Sequence, residues 1–161
     1  MIVTYAPSIL DVSGLVGAMH RNAAREKIAR LEQQMAGMEQ TMPPVKHHFA
    51  PGLYAREMLL PAGLLIVGKI HKHAHINTIS FGHVTVYTEF GESELRGPLT
   101  FTSEVGTKRV VLAHADTLWT TYHVTEETDL DKIEDYVIAK SYDQLPQLAV
   151  ERVMQIEGKE Q

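Results

Sequence analysis

The chain concentrates imidazole. Six of its nine histidines fall between residues 71 and 123, and the densest run is His71-Lys72-His73-Ala74-His75-Ile76-Asn77. In an extended strand alternate residues share a face. His71, His73, His75 and Asn77 would then line one side of a strand, with Ile70, Ala74 and Ile76 on the other. Neutral imidazole is the commonest protein ligand for zinc, iron, nickel and copper. Two ligands on one strand joined by a third from another strand fix a metal's geometry economically. The plainer alternative is a polar strand face, solvated or hydrogen-bonded, that holds no metal.

Composition narrows the chemistry. The sequence has no cysteine, which excludes disulfide frameworks, thiolate zinc sites and cysteine nucleophiles. A net charge of -5 argues against a nucleic-acid partner, whose phosphates require clustered Lys and Arg. Neither a Gly-rich phosphate loop nor a serine nucleophile elbow is present. No apolar run approaches the ~18 residues of a membrane span. The opening residues MIVTYAPSIL lack the basic start and long apolar stretch of a secretory signal, so the expected location is cytoplasmic, away from membranes.

The elements that must position these side chains fall into three parts. In residues 1–44, Ser13 is placed to cap a helix running to about Gln40. Ala24, Ile28, Leu31, Met35 and Met38 form one apolar seam along it, while Arg25, Lys27, Arg30, Glu32 and Gln33 lie off the seam. That seam suits packing on the protein's own sheet or, as a short coiled coil, a partner helix; Pro43 and Pro44 end it. Residues 45–126 read differently. Short apolar or alternating runs at 53–60, 64–70, 77–80, 83–88, 98–102, 107–113 and 117–124 are separated by Gly, Pro and other turn residues. Strands at such spacing predict a sandwich or barrel. Residues 127–161 are predicted helical again. Thr128 or Asp129 caps a helix through about Ala139, and Leu145, Leu148, Val153 and Ile156 suggest a second short helix.

The central part resembles the cupin superfamily. Gly68-Lys69-Ile70-His71-Lys72-His73-Ala74-His75, with Gly82 seven residues beyond His75, is similar to the first cupin motif. Gly97-Pro98 through Glu104-Val105-Gly106-Thr107-Lys108-Arg109 is similar to the second, and Thr88-Glu89-Phe90-Gly91-Glu92 resembles the turn between them. The resemblance implies an all-β, cupin-type jelly-roll barrel with helical extensions at both ends. Among cupins the chain looks most like small single-domain members encoded in bacteriophage genomes. Counted back from Gly82, the family's acidic ligand falls on His75, its second histidine on His71 and its first on Lys69; the second-motif histidine falls on Arg109. Only His71 matches in kind.

Two outcomes follow from that mismatch. In one, His71, His73, His75 and His123 hold a divalent metal (zinc, iron, manganese or nickel) beside a small polar substrate. In the other, the metal is gone, and Lys69, Arg109 and Trp119 bind an anionic small molecule or nucleotide. A homodimer is expected, since pairing would cover exposed sheet edges. A virion or assembly scaffold is a third reading. A fourth rests on His83-Val84-Thr85 and His123-Val124-Thr125, paired His-x-Thr strands that resemble two-histidine phosphoesterases, with one histidine as general base and the other as general acid. His114 is expected in an exposed hairpin turn, and His47-His48 in a loop or strand entry.

Overall fold

Alternation along the central runs decides which side chains meet inside. A computed structural model describes residues 1–5 and 21–145. Its elements in chain order are β1 (Ile2–Tyr5), α1 (Arg21–Ala36), β2 (Val45–Ala50), β3 (Leu53–Leu60), β4 (Leu64–Val67), β5 (Ile70–His71), β6 (His75–Phe81), β7 (His83–Thr88), β8 (Gly91–Arg96), β9 (Leu99–Ser103), β10 (Val110–Ala113), β11 (Thr117–Val124), α2 (Leu130–Val137) and β12 (Ile138–Ala139). Two antiparallel five-stranded sheets form, in the orders β1-β4-β10-β7-β8 and β2-β3-β11-β6-β9. A two-stranded ribbon, β5 with β12, lies apart from them.

The sheets pack face to face as a jelly roll. Val3, Ile66, Val84, Val86 and Val111 of the first meet Leu60, Ile79 and Trp119 of the second in one buried core. β4 is buried on both faces, which is why its Leu64-Leu65-Ile66-Val67 run does not alternate. Leu64 and Ile66 face the core, whereas Leu65 and Val67 face outward and pack under α1. The seam residues Ile28, Leu31 and Met35 cover them, together with Tyr87 and Val110. The seam is therefore consumed by the protein's own barrel and is not available to a partner helix. Arg25 pairs with Glu89 at 2.6 Å and lies 3.8 Å over the Tyr142 ring, and Lys108 pairs with Glu32, so polar contacts flank the same interface.

Two glycines set the barrel's corners. Gly82 has φ +111°, and a side chain there would run into Thr117 of β11. A Cβ at Gly97 would lie 2.7 Å from the Phe81 Cα. Both belong to the motif positions read from sequence, and close approach of neighbouring backbone is what they serve.

Some boundaries differ from expectation. β1, β2 and β8 extend the sheets at their edges, where mostly polar or short runs gave a weak strand signal; His47 and His48 lie within β2. The strand expected from residue 107 begins at Val110. α2 starts as predicted, the Asp129 side chain accepting hydrogen bonds from the Asp131 and Lys132 amides, but it ends at Val137 because Ile138 and Ala139 leave to pair with β5. Ser13, Leu148, Val153 and Ile156 lie outside the described residues. Among the described residues no helix is long and apolar enough to cross a membrane.

Candidate functional site

The inner face of the second sheet carries the polar residues, and register sets their order. Arg56 on β3 pairs with Thr121 on β11, Thr121 with Asn77 on β6, and Asn77 with Phe101 on β9. The next inward row runs from Tyr54 to His123, and from His75 to Ser103. His71 reaches the same place from β5. The three imidazoles meet, with ring centroids 4.3 Å apart for His71–His75, 4.9 Å for His75–His123 and 5.7 Å for His71–His123. The His71 and His123 rings are nearly parallel, at 8°. Tyr54 stacks on His123, and His47 donates to or accepts from the Tyr54 hydroxyl at 2.8 Å, continuing a stack of rings toward the surface.

His73 does not join them. The continuous strand expected through residues 70–77 breaks at a bend over 72–74, where the Lys72 amide bonds the Val137 carbonyl at the end of α2. That extra turn rotates the His73 ring onto Tyr136, with centroids 4.6 Å apart. Its carbonyl instead meets His75 Nδ1 at 3.2 Å.

A cavity of about 490 Å³ opens beside the histidines, with α2 along its wall. His71, His123, Arg56, Arg109, Asn77 and Trp119 line it among apolar side chains such as Met58, Ile66 and Val111. Arg109 is held from behind. Its Nη2 donates to Ser103 Oγ, which also accepts from Asn77 Nδ2 at 2.5 Å, while Asn77 Oδ1 accepts from Trp119 Nε1 at 3.0 Å. This chain satisfies the fully buried Asn77 and the indole together, so Trp119 serves the wall rather than standing free. Lys69 also borders the cavity, but its ammonium is engaged by Glu134 of α2.

Burial dominates the electrostatics. It pushes His71 down to about 3, helped by the charges of His75, His123 and Arg109. Burial likewise lowers His75 to about 4, against a backbone hydrogen bond at His73. His123 falls to about 4 through burial and then through His75, His73 and Arg56. Near pH 7 all three are neutral. Arg109 is lowered to about 10 by burial alone. Among the described residues Arg109 has no carboxylate partner; Arg56 donates to the Met58 sulfur at 2.8 Å and feels the charge of Glu134, which with Asp131 also lines the cavity.

No family model matches the sequence, and no curated protein matches it. Solved structures do match. Ectoine synthase from P. lautus superposes with a TM-score of 0.51 at 10% identity, over 68% of this chain and 89% of that one. A cupin domain from Bordetella pertussis Tohama I gives 0.45 at 15% identity, over 55% and 99%. A cupin-2 domain protein from Shewanella frigidimarina gives 0.44 at 10% identity, over 63% and 98%. The fold is the cupin jelly roll. At these identities the likeness reaches the fold and no further.

Of the four positions carried over from the motifs, His71, His75 and Arg109 share one interior neighbourhood, while Lys69 lies at the cavity edge beside Glu134. Sequence reasoning missed Arg56, Ser103 and Tyr54. Arg56 and Tyr54 had a readable signal, since alternation in β3 puts them on one face with Met58 and Leu60. The paired His-x-Thr reading is overturned. His123 faces the barrel interior, whereas His83 lies outside it, because its neighbours Val84 and Val86 are the residues of β7 that enter the core. Two histidines on opposite sides of a sheet cannot share one phosphate. Outside the barrel His83 instead groups with Glu94 and with His114, which is exposed as expected; this group could hold an ion.

Proposed function

We propose that the cavity of this cupin barrel binds a small anionic molecule, one bearing a carboxylate or phosphate group, with Arg109 as its principal contact and Arg56 as a second cation. The observation that carries the reading is Arg109, half-buried at the cavity wall with a serine hydroxyl and the Phe101 ring as its neighbours and no carboxylate. Withdrawing a charge even partly from water without a counter-charge is unfavourable. A bound anion supplies the missing partner, and a guanidinium engages such oxygens in bidentate fashion. His71 and His123 add neutral imidazoles at the cavity wall that donate or accept according to tautomer. Since burial holds them far below neutrality, they are poorly matched to proton transfer at pH 7. The reading is therefore recognition rather than acid–base catalysis.

Thermal shift with a panel of inorganic phosphate, malonate and glycerol, on wild type and Arg109→Met, tests this. Stabilisation by an anion, absent with glycerol and lost in the variant, is the expected result. Equal responses in both proteins, or none in either, contradict the proposal.

A specific observation favours a second reading, a divalent metal held by His71, His75 and His123. His71 Nδ1 and His75 Nε2 are buried without any hydrogen-bond partner, and three neutral imidazoles fit zinc, iron or nickel in kind. Such an ion would supply Lewis acidity toward a carbonyl or water. Against it stand the adjacent Arg109 charge and the near-parallel rings of His71 and His123. Metal analysis of untagged protein beside a His71→Ala, His75→Ala double variant separates the readings: metal lost in the variant supports the interior ion, and a metal content unchanged by the double substitution leaves the anion reading of the cavity alone.

A further inference from the structure

A second group of chemically capable side chains lies on the opposite face of the first sheet from the core. His83 opens β7, Glu94 sits on β8 and His114 follows β10; these three strands are neighbours in the sheet. Register explains their meeting. Thr85 lies directly opposite Glu94, the His114 amide bonds the His83 carbonyl at 2.8 Å, and the His83 and His114 rings approach to 4.5 Å. One ligand atom from each of the three residues lies within 4.8 Å of the others.

We propose that His83, Glu94 and His114 form a divalent transition-metal site, separate from the barrel cavity, for an ion of the zinc type. Four features support it. The first is the donor set. Two imidazoles and one carboxylate suit a borderline ion, while calcium or magnesium would require more oxygen ligands. The second is an unpartnered donor. His83 Nε2 is shielded from water and has no hydrogen-bond partner; its nearest charge is Glu94 Oε1 at 3.5 Å. The third is orientation from behind. Thr85, buried beneath the site, holds His114 through Nε2 at 2.6 Å, the kind of outer contact that fixes a ligating ring. Ligation through His114 Nδ1 keeps that bond with Nε2–H donating, whereas ligation through Nε2 displaces the threonine hydroxyl. The fourth is the scaffold. All three residues sit on or next to paired strands, so their spacing is set by the sheet.

One neighbour opposes the ion. Arg96 Nη2 lies 3.8 Å from Glu94 Oε2, and this exposed side chain must either swing aside or hold the carboxylate oxygen that does not ligate. Three protein ligands leave one tetrahedral position for water or for a donor from another molecule. The site thus fits an exchangeable or bridging ion better than a sealed structural one.

The test uses full-length, untagged protein stripped with chelator and titrated with zinc, read by calorimetry and by the histidine ring signals in NMR. Wild type is expected to bind near-stoichiometric zinc, shifting the His83 and His114 signals. Glu94→Gln should weaken binding by at least about tenfold, and His123→Asn should leave it unchanged. Arg96→Gln should bind zinc more tightly, a gain that a merely disruptive substitution would not give. Zinc binding that survives Glu94→Gln, that disappears in His123→Asn, or that is absent from wild type overturns the proposal. Loss in His123→Asn alone would locate the ion inside the barrel, which separates failure of this site from failure of the cavity reading.

Discussion

Two groups of histidines in one small barrel differ in what surrounds them. Inside, His71, His75 and His123 lie beside Arg109 with no carboxylate within the group, and burial keeps the rings neutral. Outside, His83 and His114 face Glu94, which brings a negative charge to the same residue type. A site rich in cations and neutral donors calls for an anion; a site with imidazole lone pairs and a carboxylate calls for a cation. Histidine content alone does not separate the two. Neighbouring charge does, and charge depends on which strands lie side by side.

The largest effect that sharpens this contrast comes from acid. In the folded state the interior histidines bind protons only near pH 3–4, whereas in the unfolded chain they titrate near 6.5. The unfolded state therefore holds more protons between those limits, and stability falls as pH drops below 6.5. The contribution is on the order of a few kcal/mol per histidine by pH 4. Denaturant midpoints measured from pH 7 to 4 should decline, and His123→Gln should flatten the slope. A slope unchanged by His123→Gln would remove the neutral interior from the account.

Next in size is the support for Arg109. Asn77→Leu strands the Trp119 N–H and takes one donor from Ser103. The expected loss is about 1–3 kcal/mol for the stranded indole alone, read by urea unfolding, together with weakened anion response. Arg109→Met should act in the opposite sense on the unliganded protein. Replacing a half-buried charge that has no carboxylate partner with an apolar side chain of similar volume should raise its stability modestly while abolishing the anion response. A destabilised Arg109→Met would mean that the guanidinium already has its partner.

The smallest effects belong to the surface. Lys69→Met removes an ion pair to Glu134 whose members are both well exposed, and it should shift unfolding by under about 1 kcal/mol. A larger loss would show that Lys69 acts in the cavity and not at its rim.

Much of the barrel was legible because inward and outward positions alternate. β3, β7 and β11 lie where the apolar alternation put them, and the seam of α1 covers the outer residues of β4. The edge strands were not legible. β8, Gly91-Glu92-Ser93-Glu94-Leu95-Arg96, is polar nearly throughout because an edge strand facing water needs charge more than burial. That omission hid Glu94 and with it the outer site. Within the barrel, His71, His75, His123 and Arg109 were named from pattern and resemblance, and the structure brings them together. His73 was misplaced because strict alternation presumes an unbroken strand, and the bend at 72–74 depends on α2, more than 60 residues further on. Nothing local in the sequence marks such a tertiary contact.

The central claim is that the barrel interior is a neutral, cation-bordered space, and histidine-specific NMR titration tests it most directly. With ring signals assigned through single substitutions, His71, His75 and His123 should stay neutral from pH 7 down to about 5, and added malonate or phosphate should perturb the Arg109 guanidinium signal. Interior rings that gain protons near pH 6.5, with an Arg109 signal indifferent to both anions, would contradict the account.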